Sequence, residues 1–316
     1  MAHPLPHAAA AISAQSGPES AAAVEWPTLA LILACTAVWA GASAGLTLGG
    51  WAWAAWPLLC LSLVLHSSLC HEALHGHPTR WAEVNAALVA PAMGLFIPYG
   101  RFRDQHLAHH RDARLTDPYD DPESNYLDPA VWRRLPRLAQ ALLSANNTLA
   151  GRVLLGPAIG LWVFYGGELR AIWRGEPGVA QAWALHLVGL APVLAWLWWW
   201  QVPVPAYGLA AYLALGILKI RTFLEHRAHE TVRARSVIIE DRGPLAFLFL
   251  NNNLHAVHHG HPGLAWYRLP GFYRARRQRF LEMNDGYRYP SYADVIARFL
   301  LRRKDPVAHP LWDQDR

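Results

Sequence analysis

Four apolar stretches, residues 26–48, 51–69, 183–200 and 207–220, limit what this chain can fold into more than any other feature. Each approaches the roughly 17–25 residues that a helix needs to cross a bilayer, and the short fourth one runs on through Phe223 and Leu224. Composition agrees: 53% of the 316 residues are hydrophobic and only 16% are charged, against about 25% charged in soluble domains. Two more apolar pieces, 84–98 and 149–165, are short or rich in Gly and Pro, so they are expected to be re-entrant or to lie along the interface. The predicted fold class is all-α integral membrane: four transmembrane helices in two hairpins, with re-entrant or interfacial helices and a cytoplasmic cap.

Charge placement orients this bundle. No Lys or Arg precedes Arg80, and the connectors 47–51 and 201–206 carry none. Every positive charge falls between the second and third stretches or from the end of the fourth onward. By the positive-inside rule those segments and both termini are cytoplasmic, and the two connectors are outside. Arg152 and Arg170 flank the 149–165 piece, which favours its return to the side it left. The formal charge of +5 then reads as a basic face against anionic lipid, with no reason to invoke nucleic acid. Residues 1–25 lack the basic start of a signal peptide and are expected to be a disordered tail. Residues 26–290 form the membrane domain. The arginines interleaved with apolar residues over 272–303 suggest an amphipathic helix on lipid, and 291–316 are expected to be a cytoplasmic tail. Cys35, Cys60 and Cys70 sit in or at the end of apolar stretches, where no disulfide framework is expected.

The distribution of the 17 histidines carries the chemistry. His71-Glu72-Ala73-Leu74-His75 satisfies the H-E-x-x-H pattern of zinc peptidases, in which Glu72 would be the general base. On a helix His71 and His75 lie one turn apart on one face. The chain then twice repeats H-x-x-H-H, at His106, His109 and His110 and again at His255, His258 and His259. Positions i, i+3 and i+4 share a helix face, so each repeat aims three imidazoles at one point. Together with the first pair these are eight imidazoles, all on the inferred cytoplasmic side. A catalytic zinc takes three protein ligands, so a pair of metals fits better. Imidazole suits iron, copper, nickel and zinc alike, and the ligand type leaves the metal open. Histidines grouped at one membrane face do not line a path through it, which argues against a transporter.

Cys70 to Thr79 (CHEALHGHPT), Arg101 to Asp112 (RFRDQHLAHHRD) and Asn251 to Pro270 (NNNLHAVHHGHPGLAWYRLP) resemble the three histidine boxes of the membrane fatty acid desaturase superfamily. That group includes acyl desaturases, carotenoid ketolases and alkane hydroxylases. The resemblance runs from about residue 51 to about residue 289. It implies two non-haem iron ions in a cytoplasmic cap, using O2 and two external electrons to attack an unactivated C–H bond. It also implies a ninth histidine ligand between the fourth span and the third box, for which His226 is chosen over His229.

Desaturation of a fatty acyl chain is the expected reaction. Hydroxylation or ketolation of a carotenoid or hydrocarbon, and decarboxylation of a fatty acid to a terminal alkene, use the same boxes. His261-Pro262-Gly263 begins a haem-binding pattern that Leu264 breaks, so electrons are expected from another protein, a ferredoxin with its reductase. The expected setting is a bacterial inner membrane. Asp117 and Asp121, in the acidic run after the second box, are the candidates to accept the second N–H of ligand histidines. His77 and His261 fall off the ligand face and are expected beside the site or at the interface. His66 and His186 lie within spans and are expected to pack through hydrogen bonds; His3, His7 and His309 are expected to be solvated.

Overall fold

In a computed structural model of the protein, residues 24–111 and 114–312 are described; the expected N-terminal tail, apart from its last two residues, and His3 and His7 lie outside them. Four helices are long and apolar enough to cross a membrane: α1 (Trp26–Gly45), α2 (Ala52–Leu74), α9 (Val179–Trp199) and α10 (Val204–Thr222). Short connectors follow α1 and α9. Between α2 and α9 run α3 (Ala82–Leu88), α4 (Tyr99–His109), α5 (Pro129–Arg134), α6 (Arg137–Asn146), α7 (Leu149–Leu154) and α8 (Gly156–Trp173). The first pair of spans packs as the expected α1–α2 hairpin and α2 also packs on α10, but the second pair is not a closed hairpin: α9 packs on α4 and α8, and α10 on α2, α7 and α8, because the 84–98 piece and α8 take the space between them. After α10 come α11 (Pro244–Leu248), α12 (His255–Gly260), α13 (Leu269–Met283) and α14 (Tyr292–Phe299). The strands β1 (Ile238–Ile239) and β2 (Arg288–Tyr289) pair in parallel.

The second span is longer than its apolar run, and this matters for the site. Nothing between Leu69 and His75 breaks a helix, so α2 continues to Leu74 and takes His71 with it. Gly76 stops it at φ 96°, a left-handed conformation that a side chain would strain, and His77 N–H closes back on the Glu72 carbonyl.

The 84–98 piece enters the bundle. After α3 its backbone is irregular, and Ala92 N–H donates to the Gly189 carbonyl of α9. A Cβ at Gly189 would stand 2.3 Å from the Ala90 carbonyl oxygen, so only glycine permits this approach. Irregular backbone survives at membrane depth only where protein satisfies its polar groups. Here Tyr207 Oη donates to the Met93 carbonyl at 2.7 Å and Tyr165 Oη to that of Phe96 at 2.9 Å. His186 Nε2 donates to that of Leu95 at 2.9 Å. The histidine inside the third span therefore serves the re-entrant backbone. The 149–165 piece becomes α7 and the start of α8, which is not apolar enough to count among the spanning helices. Its outward face exposes Trp162, Val163, Leu169 and Trp173.

The cap is built on the ends of α2 and α10, opposite the two connectors. Residues beyond 290 belong to it: Tyr292 and Val295 are buried in the same core cluster as Leu63 and Tyr207 of the spans. The amphipathic stretch 272–303 is two helices separated by β2, with non-helical φ/ψ at Arg276 inside the first. The chain closes when Leu127 and His309 exchange backbone hydrogen bonds with the 307–309 and 127 segments, strapping the C-terminal residues across the loop after the second box.

Candidate metal centre

Each histidine box is positioned by a different local device. His71 sits on the last turn of α2, and His75 is its C-cap. Helix α4 carries His106 and His109 and ends at His110. Its first turn is anchored by Arg101 Nε on Glu168 Oε2 at 2.7 Å, a buried carboxylate that also accepts from Trp183 Nε1 at 2.9 Å. Helix α12 begins at His255 after a turn in which Leu250 and Asn251 take φ 50° and 58°. Such backbone persists only when its surroundings hold it. The three asparagines do so: Asn251 Nδ2 donates to the Trp266 carbonyl, Asn252 Nδ2 to Glu225 Oε1 and Asn253 Nδ2 to the Ile239 carbonyl.

The nine histidines divide into two groups. His71, His75, His106, His110 and His258 form one; His109, His226, His255 and His259 form the other, and within each the ligand atoms lie within 4.8 Å of one another. The boxes are thus interleaved, since both the second and the third contribute to both groups. His226 enters the second group, whereas His229 turns away, its Nδ1 accepting from Thr231 N–H.

Nε2 atoms converge in both groups. His106 Nε2 is 3.0 Å from those of His71 and of His110, and His110 Nε2 is 3.1 Å from that of His258. His226 Nε2 is 2.9 Å from that of His109 and 3.0 Å from that of His255, which is 3.1 Å from that of His259. The opposite ring nitrogens decide what these contacts are. His109 Nδ1–H donates to Asp121 Oδ1 at 2.8 Å, His106 Nδ1–H to Glu123 Oε1 at 2.9 Å and His255 Nδ1–H to Asn252 Oδ1 at 3.2 Å. Each such bond fixes the tautomer that leaves Nε2 bare. Three accept-only Nε2 atoms therefore each face the ring nitrogen of another histidine, His226 Nε2 stands between two of them, and His75 Nε2 is buried with no partner at all. A cation at each focus would take all of these nitrogens as donors, so the donor set fits a metal in each group. With a metal–imidazole bond of about 2.1 Å, ligands at right angles stand about 3.0 Å apart and tetrahedral ones about 3.4 Å. The observed edges match the right-angled case, and five imidazoles exceed what tetrahedral zinc takes.

Electrostatics agrees with a site that needs neutral imidazoles. Burial and the neighbouring His106 pull His75 down to about 2, and burial with His259 holds His226 and His255 well below the usual range. His109 is the exception: burial is outweighed by Glu123 and Asp121, which push it up to about 9. Burial opposes ionisation of Glu123, but His106 and His109 prevail and lower its carboxyl.

Of the two proposed carboxylates, Asp121 meets a ring and Asp117 does not. Asp117 Oδ1 accepts the backbone N–H of Tyr119 and of Asp120, folding the exposed turn. Glu123, six residues further on, takes the second carboxylate position, and Asn252 and Ser236 serve rings that the sequence reading left unserved. His309 is buried and not solvated: it accepts Leu311 N–H at Nδ1 and turns Nε2 to Thr116 Oγ1 at 3.2 Å. His77 Nδ1 pairs with Glu25 Oε2 at 2.9 Å, tying the start of α1 to the end of α2. Glu72 of the HEALH pattern accepts the backbone N–H of Trp266 at 3.2 Å.

A cavity of about 810 Å³ lies between α2, α4, α9, α10 and the re-entrant segment; none of the nine histidines lines it, and Phe102 stands between it and them. Its wall includes Leu63, Leu185, Leu215 and Phe102, and the Phe102 ring packs 5.7 Å from His106 and 6.5 Å from His71. A search of curated proteins finds no match to the chain. The sequence profile of the fatty acid desaturase family matches residues 48–291, which covers the chain from the connector after α1 through β2, with all three histidine boxes. This protein belongs to the fatty acid desaturase family.

Proposed function

We propose that the protein is an O2-dependent desaturase of acyl chains, holding one iron in the five-histidine group and a second in the four-histidine group. The observation that carries this reading is the convergence of Nε2 atoms in two groups, next to an apolar cavity whose wall residue Phe102 packs on His106 and His71. Two irons held there would supply O2 activation for attack on an unactivated C–H bond. The chain's own residues do the rest. Asp121, Glu123 and Asn252 keep His109, His106 and His255 in the ligating tautomer. Burial of these rings keeps bulk water from the site. The cavity is of a size that binds small molecules, and its fixed apolar wall selects which methylene lies against Phe102. Electrons come from a separate carrier, a ferredoxin with its reductase, docking on the cytoplasmic face.

Metal content tests the assignment against the zinc peptidase reading of HEALH. Iron and zinc are measured by plasma emission on wild type, His255→Ala and Glu72→Gln. Two irons per chain are expected in wild type and in Glu72→Gln, with loss in His255→Ala of at least the iron of the four-histidine group to which His255 belongs. Stoichiometric zinc that survives His255→Ala would overturn the proposal. Lipid profiling of cells with and without the protein then identifies the reaction: new double bonds support desaturation, and a hydroxyl, keto group or terminal alkene replaces it.

A further inference from the structure

The cavity beside Phe102 is apolar along most of its wall, yet Arg103, Lys219 and Arg221 also line it. Two of these cations are matched. Arg103 Nη2 stands 2.8 Å from Asp104 Oδ1, and Arg221 Nε stands 3.2 Å from Glu225 Oε1. Lys219, in the last turn of α10, has no hydrogen-bond or ion-pair partner among the described residues. Its stem is nevertheless held in place. A Cβ at Gly156 of α8 would meet Lys219 Cγ at 3.5 Å, and one at Gly160 would meet Nζ at 3.7 Å, so the glycine face of α8 makes the room this side chain occupies.

An ammonium facing an apolar cavity from a spanning helix is costly to keep, and such residues mark ligand sites. Arg152 repels it, and the opposite charges that reach it, Glu123 and Glu225, form no ion pair with it. Both belong to the histidine surroundings, one on His106 and the other 3.6 Å from His255. Lys219 thus stands at the histidine end of the cavity, while Ala211, eight residues or about 12 Å back along α10, lines its deeper part.

Resting on the acyl-chain reading above, we infer that Lys219 binds the carboxylate of a free fatty acid whose alkyl chain fills the cavity toward Ala211. An ester or thioester presents no carboxylate charge at this position, and a CoA thioester also brings a bulky head group to it. The substrate class is therefore the unesterified acid, with its carboxyl end toward the histidines.

Equilibrium binding in lipid nanodiscs tests this with three probes of one chain length: palmitate, methyl palmitate and palmitoyl-CoA. A charge-assisted pair is expected to make palmitate bind about ten- to hundredfold tighter than the ester. Lys219→Gln should abolish the difference and Lys219→Arg should restore most of it, with iron content unchanged in both as the check on folding. Wild type that binds the ester or the CoA thioester as tightly as the acid overturns the inference, whether or not the variants fold. So does a preference for acid that survives in Lys219→Gln; that outcome makes Lys219 a lysine reaching for lipid head groups. Product analysis separates this from the reaction itself. Oxidation of the ester or thioester but not the acid sinks the inference and leaves the oxidase reading standing. Tight, Lys219-dependent acid binding with no oxidised product, given O2 and reductant, retires the oxidase reading alone.

Discussion

Asp121→Asn separates the two metal positions. The Asp121 carboxylate is buried and accepts three donors: His109 Nδ1–H at 2.8 Å and Glu123 N–H at 2.9 Å on Oδ1, and Thr116 N–H at 2.8 Å on Oδ2. Asparagine has one carbonyl oxygen. If it faces His109 and Glu123, its NH2 meets the Thr116 N–H; if it faces Thr116, it opposes two donors. Either way a buried donor is left unsatisfied, at about 1–3 kcal/mol. His109 also loses the charge that fixes its tautomer, and losses of this kind typically weaken metal binding about 10–100-fold. His109 belongs to the four-histidine group, so this position alone should weaken. Glu123→Gln acts through His106 on the five-histidine group. The assay is chelator competition followed by metal analysis on wild type, Asp121→Asn, Glu123→Gln and Asp117→Asn. Asp121→Asn should pass through a plateau of one metal per chain at chelator concentrations where wild type keeps two, and Asp117→Asn should follow wild type. Simultaneous loss of both metals in Asp121→Asn, or an equal loss in Asp117→Asn, would refute the reasoning.

Tyr207→Phe removes a hydroxyl that accepts from Trp39 Nε1 at 2.8 Å and donates to the Met93 carbonyl at 2.7 Å, leaving two buried groups unpaired; thermal unfolding in detergent should show a loss of about 1–3 kcal/mol, and an unchanged midpoint would count against the re-entrant packing. Single cysteines at Gly49 and Pro203 should react with impermeant reagents only from outside the cell, and labelling of either from the cytoplasm alone would invert the topology. Hydrogen bonding by Arg277, together with Tyr273 and Arg288, lowers Glu240 to about 2. A carboxyl held below its usual value contributes stability above about 4.5 that is lost as pH falls through about 2. Glu240→Gln should therefore flatten the acid limb of cap unfolding, followed by tryptophan fluorescence, and a limb that keeps its slope would remove Glu240 from the account.

The spans were legible because bilayer thickness imposes a length, and an apolar run of that length has few alternatives. Their ends were less so. Apolarity stops at Leu69, but backbone geometry lets α2 run to Leu74, where glycine can turn left-handed. The stretch 272–303 has the right alternation for one long helix, yet Arg288 and Tyr289 pair with β1, a contact that depends on residues some fifty positions away. His186 shows the same dependence. Its hydrogen-bonded role could be expected from its place in a span, whereas its partner, the Leu95 carbonyl, exists only because 89–97 folds into the bundle.

The ligands and the groups that orient them were not equally visible, for a physical reason. Ligands that share a helix recur at helical spacing, so H-x-x-H-H announces three imidazoles in five residues, whereas His226, outside any helix, has no such pattern. A carboxylate that receives a ring N–H needs only to reach it, and any loop can deliver one. Asp117 and Glu123 were equivalent to a reader of the sequence; the turn separates them, because Asp117 is consumed by the N–H groups of Tyr119 and Asp120 while Glu123 points inward to His106. The asparagine run at 251–253 carried a signal that went unused. Asn is several-fold enriched at positive φ, and three in a row before a histidine box announce a left-handed turn with side chains to spare. Here Asn251 takes the turn, Asn253 pins β1, and Asn252 alone is left for His255. The interleaving of the boxes follows from the same turn. Helix α12 sends His258 to one group and His255 with His259 to the other, so the first position needs residues 71, 75, 106, 110 and 258 together and the second needs 109, 226, 255 and 259. Each position thus draws ligands from both the second and the third box, which is why a single distant histidine such as His255 is the informative one to remove.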